Sequence, residues 1–196
     1  MSIKDKKYRI FLDIETTGLD CDRHEILEIA VVKELIEAPY NAPGIIVEEW
    51  CRKIIPRNIV DADPIALGVN GYLQQVWLKE AVPFASIADE LYSLLSSGKI
   101  IGQNPNFDLG FIAAEYAMLG IKPTFLRYAI DTTTSSYLAW GLDGEQNLSM
   151  DSMRDYHGLD KVNAHSALKD ALDCRKIFYE SLTKLYDLYW FGNNGD

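Results

Sequence analysis

The sequence predicts an α/β layered domain with a central mixed sheet. Three observations carry that prediction. Tyr8, Ile10, Leu12 and Ile14 alternate with Arg9, Phe11, Asp13 and Glu15, the period of a β-strand. Two further β-rich stretches follow up to Ile55 with only turns between them. From Pro83 onward, stretches with helical spacing alternate with short apolar runs.

The elements follow in order. The first strand breaks at Thr16-Thr17-Gly18, and Asp20-Cys21-Asp22-Arg23-His24 reads as a turn. Ile26–Ile36 is rich in β-branched residues and predicts a second strand. Ile45–Ile55 predicts a third after the loop around Pro39 and Pro43, so the first three strands form an antiparallel meander. Pro56–Val76 reads as irregular apart from a short helix over Ile65–Val69, begun by Pro64. Phe84, Ile87, Ala88, Leu91, Leu94 and Leu95 mark one face of a helix that stops near Gly98. Lys99–Gly102 is a short buried strand. Asn104-Pro105 opens a helix to Gly120 with Phe107, Phe111, Ala114 and Met118 along one side.

Tyr128–Ile130 predicts a fifth strand, with Asp131-Thr132-Thr133 starting the next helix. Leu148–Tyr156 predicts a helix ended by Gly158. Ala164 to Tyr189 predicts a long final helix with Leu168, Ala171, Leu172, Ile177, Leu182, Leu185 and Tyr186 facing inward. Residues 1–196 are expected to form a single domain with its core over 8–189. The tail, 190–196, is expected to fray, with Trp190 and Phe191 packing against the last helix or forming a small interaction patch.

Composition narrows the function classes. The 196 residues carry a formal charge of −10, which argues against a protein that coats nucleic acid with a broad basic face. It leaves room for an enzyme that grips one chain end through bound cations. No apolar run is long enough for a bilayer, and the charged start Met-Ser-Ile-Lys-Asp-Lys-Lys has no signal-peptide pattern, so no membrane association is expected. Cys21, Cys51 and Cys174 are scattered and odd in number, which fits neither a disulfide framework nor a zinc site and agrees with a reducing cytoplasm.

The chemistry-bearing residues lie in three places. On the first strand, Asp13 and Glu15 share a face about 6–7 Å apart. Phe11, Leu12 and Ile14 flank them, so the pair is costly without a cation between, and hard oxygen ligands favour Mg²⁺ or Mn²⁺. The plain alternative is an edge strand with two solvated acids. Asp108 lies one turn into the helix after the buried strand, among Phe107, Phe111 and Ile112; a favourable interaction with the helix dipole would by itself explain it. His165 precedes Asp170 by five residues at the opening of the final helix. With His165 in the loop and Asp170 in the first turns, both point into one cleft. Otherwise His165 caps the helix and Asp170 pairs with Lys169 or Arg175.

Jointly these segments resemble the DEDDh subgroup of 3′→5′ exonucleases, the DnaQ-like branch of the ribonuclease H-like superfamily. The resemblance rests on Phe11-Leu12-Asp13-Ile14-Glu15-Thr16-Thr17-Gly18-Leu19, on Asn104 through Asp108 to Phe111, and on Ala164-His165-Ser166-Ala167-Leu168-Lys169-Asp170-Ala171. Weaker likenesses at Glu25–Ala30 and Asp131-Thr132 extend it over about residues 8 to 180. Gln103 departs from the histidine often found there, and His165 in place of tyrosine marks the "h" branch.

The resemblance implies a ribonuclease H-like fold, a central mixed five-stranded sheet flanked by helices. It also implies two divalent ions roughly 3.5–4 Å apart, Mg²⁺ or Mn²⁺, held by Asp13, Glu15, Asp108 and Asp170, with His165 as general base. The product would be a 5′-nucleoside monophosphate. Thr16, Thr17, Gly18 and Leu19 would recognise the terminal nucleotide, alongside Asn104 and Phe107, with Phe107 stacking on a base; packing in the core is the alternative for Leu19 and Phe107.

The expected substrate is the 3′ end of single-stranded DNA, since no basic face suits long structured RNA; trimming of RNA ends is the alternative, because the same residues would serve both. A polymerase or replication partner is a further expectation. A catalytically silent module of this fold is the competing class, and the presence of all five expected catalytic residues argues against it.

Overall fold

The computed structural model describes residues 7–38, 40–126, 128–140 and 147–190. Strand β1 (Tyr8–Thr16) lies at the middle of a five-stranded sheet of order β3-β2-β1-β4-β5, with β2 at Ile26–Leu35, β3 at Ile45–Lys53, β4 at Lys99–Gly102 and β5 at Ile130–Asp131. β1 pairs antiparallel with β2, and β2 with β3, as the meander requires. β4 runs parallel to β1, and β5 parallel to β4, so the sheet is mixed. The central position of β1 removes the edge-strand reading of Asp13 and Glu15.

The alternation along β1 decides which helix each side chain meets. Ile10, Leu12 and Ile14 pack with Leu91 and Leu95 of α3 (Phe84–Ser96) and with Ile112 and Tyr116 of α4 (Pro105–Met118). Phe11, on the other face, packs with Ala167, Ala171, Cys174 and Phe178 of α7 (Ala167–Trp190). Arg9, Asp13 and Glu15 share that second face by period. Arg9 accordingly reaches α7, donating to the Tyr179 hydroxyl at 2.6 Å. Removing so much apolar surface from water supplies most of the driving force for both layers.

Several expected boundaries shift. The stretch expected to be irregular holds α1 (Pro64–Val69), where a helix was expected, and also a short α2 (Gln74–Trp77), pinned by the Trp77 indole N–H to the Leu27 carbonyl at 3.2 Å. The fifth strand is Ile130–Asp131, not Tyr128–Ile130, because Tyr128 takes a left-handed φ of 68° that no strand tolerates. After α5 (Thr132–Trp140), α6 is Met150–His157, starting two residues later than expected. The Ser149 hydroxyl caps it by accepting the Ser152 N–H.

α7 begins at Ala167, not Ala164, because Asn163 and His165 both have positive φ, 59° and 64°. Phe111 is buried as expected, but Met118 is 57% exposed and α4 also buries Leu109, Ile112 and Tyr116, so its core-facing stripe is wider and shifted from the expected one. Tyr186 is 45% exposed where an inward position was expected. The expected fraying of the tail falls largely outside the described residues. Among the described residues no helix is long and apolar enough to cross a membrane.

Candidate active site

Three segments converge at the end of β1. Asp13 and Glu15 project from β1 toward α7, and Asp170 stands in the first turn of α7 facing them. One carboxylate oxygen from each of the three lies within 4.8 Å of the others. Asp108, buried in the first turn of α4, completes the group: of the neighbouring charges, its carboxylate acts most strongly on Asp13. Asp13, Glu15 and Asp170 thus share one cluster of carboxylate oxygens, with the charge of Asp108 acting on it from α4.

Electrostatics shows what this convergence costs. Burial, then the charges of Asp108, Asp170 and Glu15, hold the Asp13 carboxyl well above the usual carboxylate range. Glu15 is pushed up to about 8 by burial first, then by Asp170 and Glu28. Burial raises Asp108 to about 8 as well, against the backbone N–H groups of Asp108 and Ile14. Asp170 is raised by burial and opposed by Arg154. A cluster that retains protons so strongly is short of positive charge. Its donors are all carboxylate oxygens, the set that suits a hard divalent cation such as Mg²⁺ or Mn²⁺. The residues present therefore fit a metal site.

His165 lies in the turn before α7, as expected, with its side chain 38% exposed and Nε2 3.8 Å from Asp151 Oδ2. Its left-handed backbone turns its own N–H toward Asp170 Oδ1, at 3.3 Å. Neither plain alternative for Asp170 holds: Lys169 donates to Asp173, Arg175 to Glu34, and Asp170 takes the guanidinium of Arg154 instead.

The expected substrate contacts divide. Thr16 and Thr17 are buried and their hydroxyls are used internally. Thr16 Oγ1 donates to the Gly18 carbonyl at 2.6 Å, and Thr17 Oγ1 accepts the Glu25 N–H at 2.8 Å. They shape the loop rather than present side chains. Gly18 is required where it stands, because a Cβ there would lie 2.5 Å from the His24 ring. Leu19 is 80% exposed, which excludes the core-packing alternative for it. Phe107 is half-buried, its ring tilted against Phe111 at 5.0 Å and packed in part against the core, as the alternative for it has it. Asn104 is exposed in a left-handed conformation, its N–H donating to Asp131 Oδ1 at 3.0 Å. Gln103 turns inward, between the Thr132 hydroxyl and the Leu148 carbonyl.

Three residues at the site escaped the sequence reading. Glu28, opposite Glu15 in the sheet, accepts the Ala167 N–H at 2.9 Å and so fastens the start of α7 to β2. Asp151 faces His165. Arg154 is fully buried and holds Asp151, Asp170 and Asp173 at once. One signal was available for Arg154: it occupies the stripe Met150, Met153, Arg154, His157 at i, i+3, i+4, i+7, a spacing that buries a residue whatever its charge.

A ribonuclease H-like sheet with acids at the end of its central strand defines the class of DnaQ-like, DEDDh 3′→5′ exonuclease domains. Solved structures share the fold. E. coli exonuclease I in complex with a dT13 oligonucleotide superposes with a TM-score of 0.78 at 17% identity, covering 94% of this chain and 43% of that one. The nuclease domain of 3′hExo, a DEDDh family member, bound to rAMP, gives 0.72 at 16% identity, covering 91% and 93%.

The chain belongs to the exonuclease family RNase_T, whose pattern matches residues 10–178. Among curated relatives, the DNA polymerase III subunit epsilon of Salmonella typhimurium is 29% identical over 177 residues, covering 87% of this chain and 69% of that protein. The 3′-5′ exonuclease DinG of Staphylococcus epidermidis is 25% identical over 180 residues, covering 91% of this chain but only 18% of its own length.

Proposed function

We propose that this protein removes nucleotides one at a time from the 3′ end of single-stranded DNA, releasing 5′-nucleoside monophosphates. The observation that carries the reading is the convergence of Asp13, Glu15 and Asp170, their ligating oxygens within 4.8 Å of one another. Asp13, Glu15, Asp108 and Asp170 would hold two divalent cations, Mg²⁺ or Mn²⁺. Once bound, these supply Lewis acidity at the scissile phosphate and lower the pKa of water.

The remaining work falls to side chains of this chain. His165 takes the proton from the attacking water, with the Asp151 carboxylate 3.8 Å from its Nε2. The backbone of Gly18 and the exposed Leu19 receive the terminal nucleotide, and Phe107, only half-buried, stacks on a base. Asn104, at the mouth of α4, offers its amide to the nucleotide. The Asp63 N–H donates to the Thr17 carbonyl and the Asn70 amide to the Thr16 carbonyl, which ties this segment to the end of β1. The exposed apolar side chain of Leu19 suits unpaired bases, which a duplex keeps stacked within itself. The relatives among polymerase subunits support association with a polymerase or replication partner.

Matched DNA and RNA oligomers, single- and double-stranded and labelled at the 5′ end, test the reading in one assay with Mn²⁺. Single-stranded DNA should shorten in single-nucleotide steps from the 3′ end, and Asp13→Ala should abolish the ladder. A ladder on RNA alone would reassign the substrate. Cleavage that persists in the Asp13→Ala protein would remove the site.

A further inference from the structure

Arg154 is buried completely, yet its guanidinium spends all its edges on acids of the site. Nε donates to Asp173 Oδ2 at 2.8 Å, one terminal nitrogen to Asp151 Oδ1 at 3.0 Å, and the other to Asp170 Oδ1. The His165 N–H also falls on Asp170 Oδ1, so both donors occupy one oxygen and leave Oδ2 for an ion. Asp151, held by the same fork, presents its second oxygen to the His165 ring.

We infer that Arg154 is a positioning residue that acts as a fixed internal cation. It assembles Asp170 and, through Asp151, His165 before any ion arrives, and it does so at the expense of ion affinity. This rests on the reading above that Asp170 is an ion ligand. A planar fork with five N–H donors can orient three carboxylates in this way; the ammonium of lysine is a point charge and cannot. Its charge repels an incoming divalent cation across a poorly hydrated space, where Coulomb interactions are strong. A buried arginine with a merely structural role would support folding without setting how tightly the site takes an ion.

Calorimetric titration of Mn²⁺ into the nucleic-acid-free protein separates the two roles, with turnover on a single-stranded oligomer at saturating Mn²⁺ measured beside it. Arg154→Met should bind Mn²⁺ at least about tenfold more tightly while turnover falls about tenfold or more. Arg154→Lys should keep affinity within about threefold of the parent yet still lose turnover, because the charge stays and the fork is gone.

Asp173→Asn covers the case in which Arg154→Met does not fold. With one acid fewer, Arg154 and Lys169 are less neutralised, and Mn²⁺ binding should weaken about threefold. Unchanged or weaker binding by a folded Arg154→Met protein overturns the inference, and so does unchanged binding by Asp173→Asn. If the parent itself takes up no Mn²⁺, the ion-site reading falls and this inference with it; if the parent binds and Arg154→Met and Asp173→Asn match it, only this inference falls.

Discussion

His165 and Asp170 owe their relation to two backbone facts: a left-handed φ of 64° at His165 and the start of α7 two residues later. A non-glycine residue in that region costs about 1–2 kcal/mol, and here the conformation turns the His165 N–H onto Asp170. The ring remains half-open to solvent, where it can meet water. His165→Ala should therefore lower turnover by about 10²- to 10⁴-fold while the stabilisation by Mn²⁺, read from thermal unfolding, stays intact. Loss of the Mn²⁺ effect in that variant would mean that the imidazole holds the ion rather than moving a proton.

The long helix α7 is tied to the sheet by more than its apolar face. Glu34 of β2 is fully buried and receives Arg175 at 2.5 Å, the Tyr179 hydroxyl, and Arg9 of β1 at 3.6 Å. One carboxylate thus joins two strands to one helix. Glu34→Ala removes the buried carboxylate shared by the part-buried Arg9 and Arg175 and by the Tyr179 hydroxyl, and urea unfolding should show a loss of about 3–5 kcal/mol. At the first residue of the helix, Glu28 performs the comparable task by accepting the Ala167 N–H. A Glu34→Ala protein as stable as the parent would show that the apolar packing of Phe11, Ala171 and Phe178 suffices to dock α7.

For the whole molecule, the acidic cluster links stability to pH. Glu15 and Asp108 titrate near 8 when folded, and Asp13 is raised in the same direction; unfolded, all three return to the ordinary carboxylate range. Between those limits the folded state holds more protons than the unfolded one, so stability must fall as pH rises toward about 8 and level off beyond it. A divalent cation replaces those protons. The rise in Tm on adding Mn²⁺ should accordingly be larger at about pH 8.5 than at about pH 5. Equal shifts at the two pH values would place the ion elsewhere.

What the sequence determined was carried by short-range pattern: the alternation that puts Asp13 and Glu15 on one face of β1, the helix starts at Pro64 and Pro105, and the order of the three acidic segments. Period and turn chemistry are local, so a linear chain displays them. Only the tertiary structure decided that the face bearing Asp13 and Glu15 is the one α7 covers, that Asp108 is set beside Asp13 from the opposite layer, and that Arg154 rather than Lys169 or Arg175 answers Asp170. Those outcomes depend on which layer each helix packs against and on where burial forces charges to find partners, and both are properties of contacts between segments far apart in the chain.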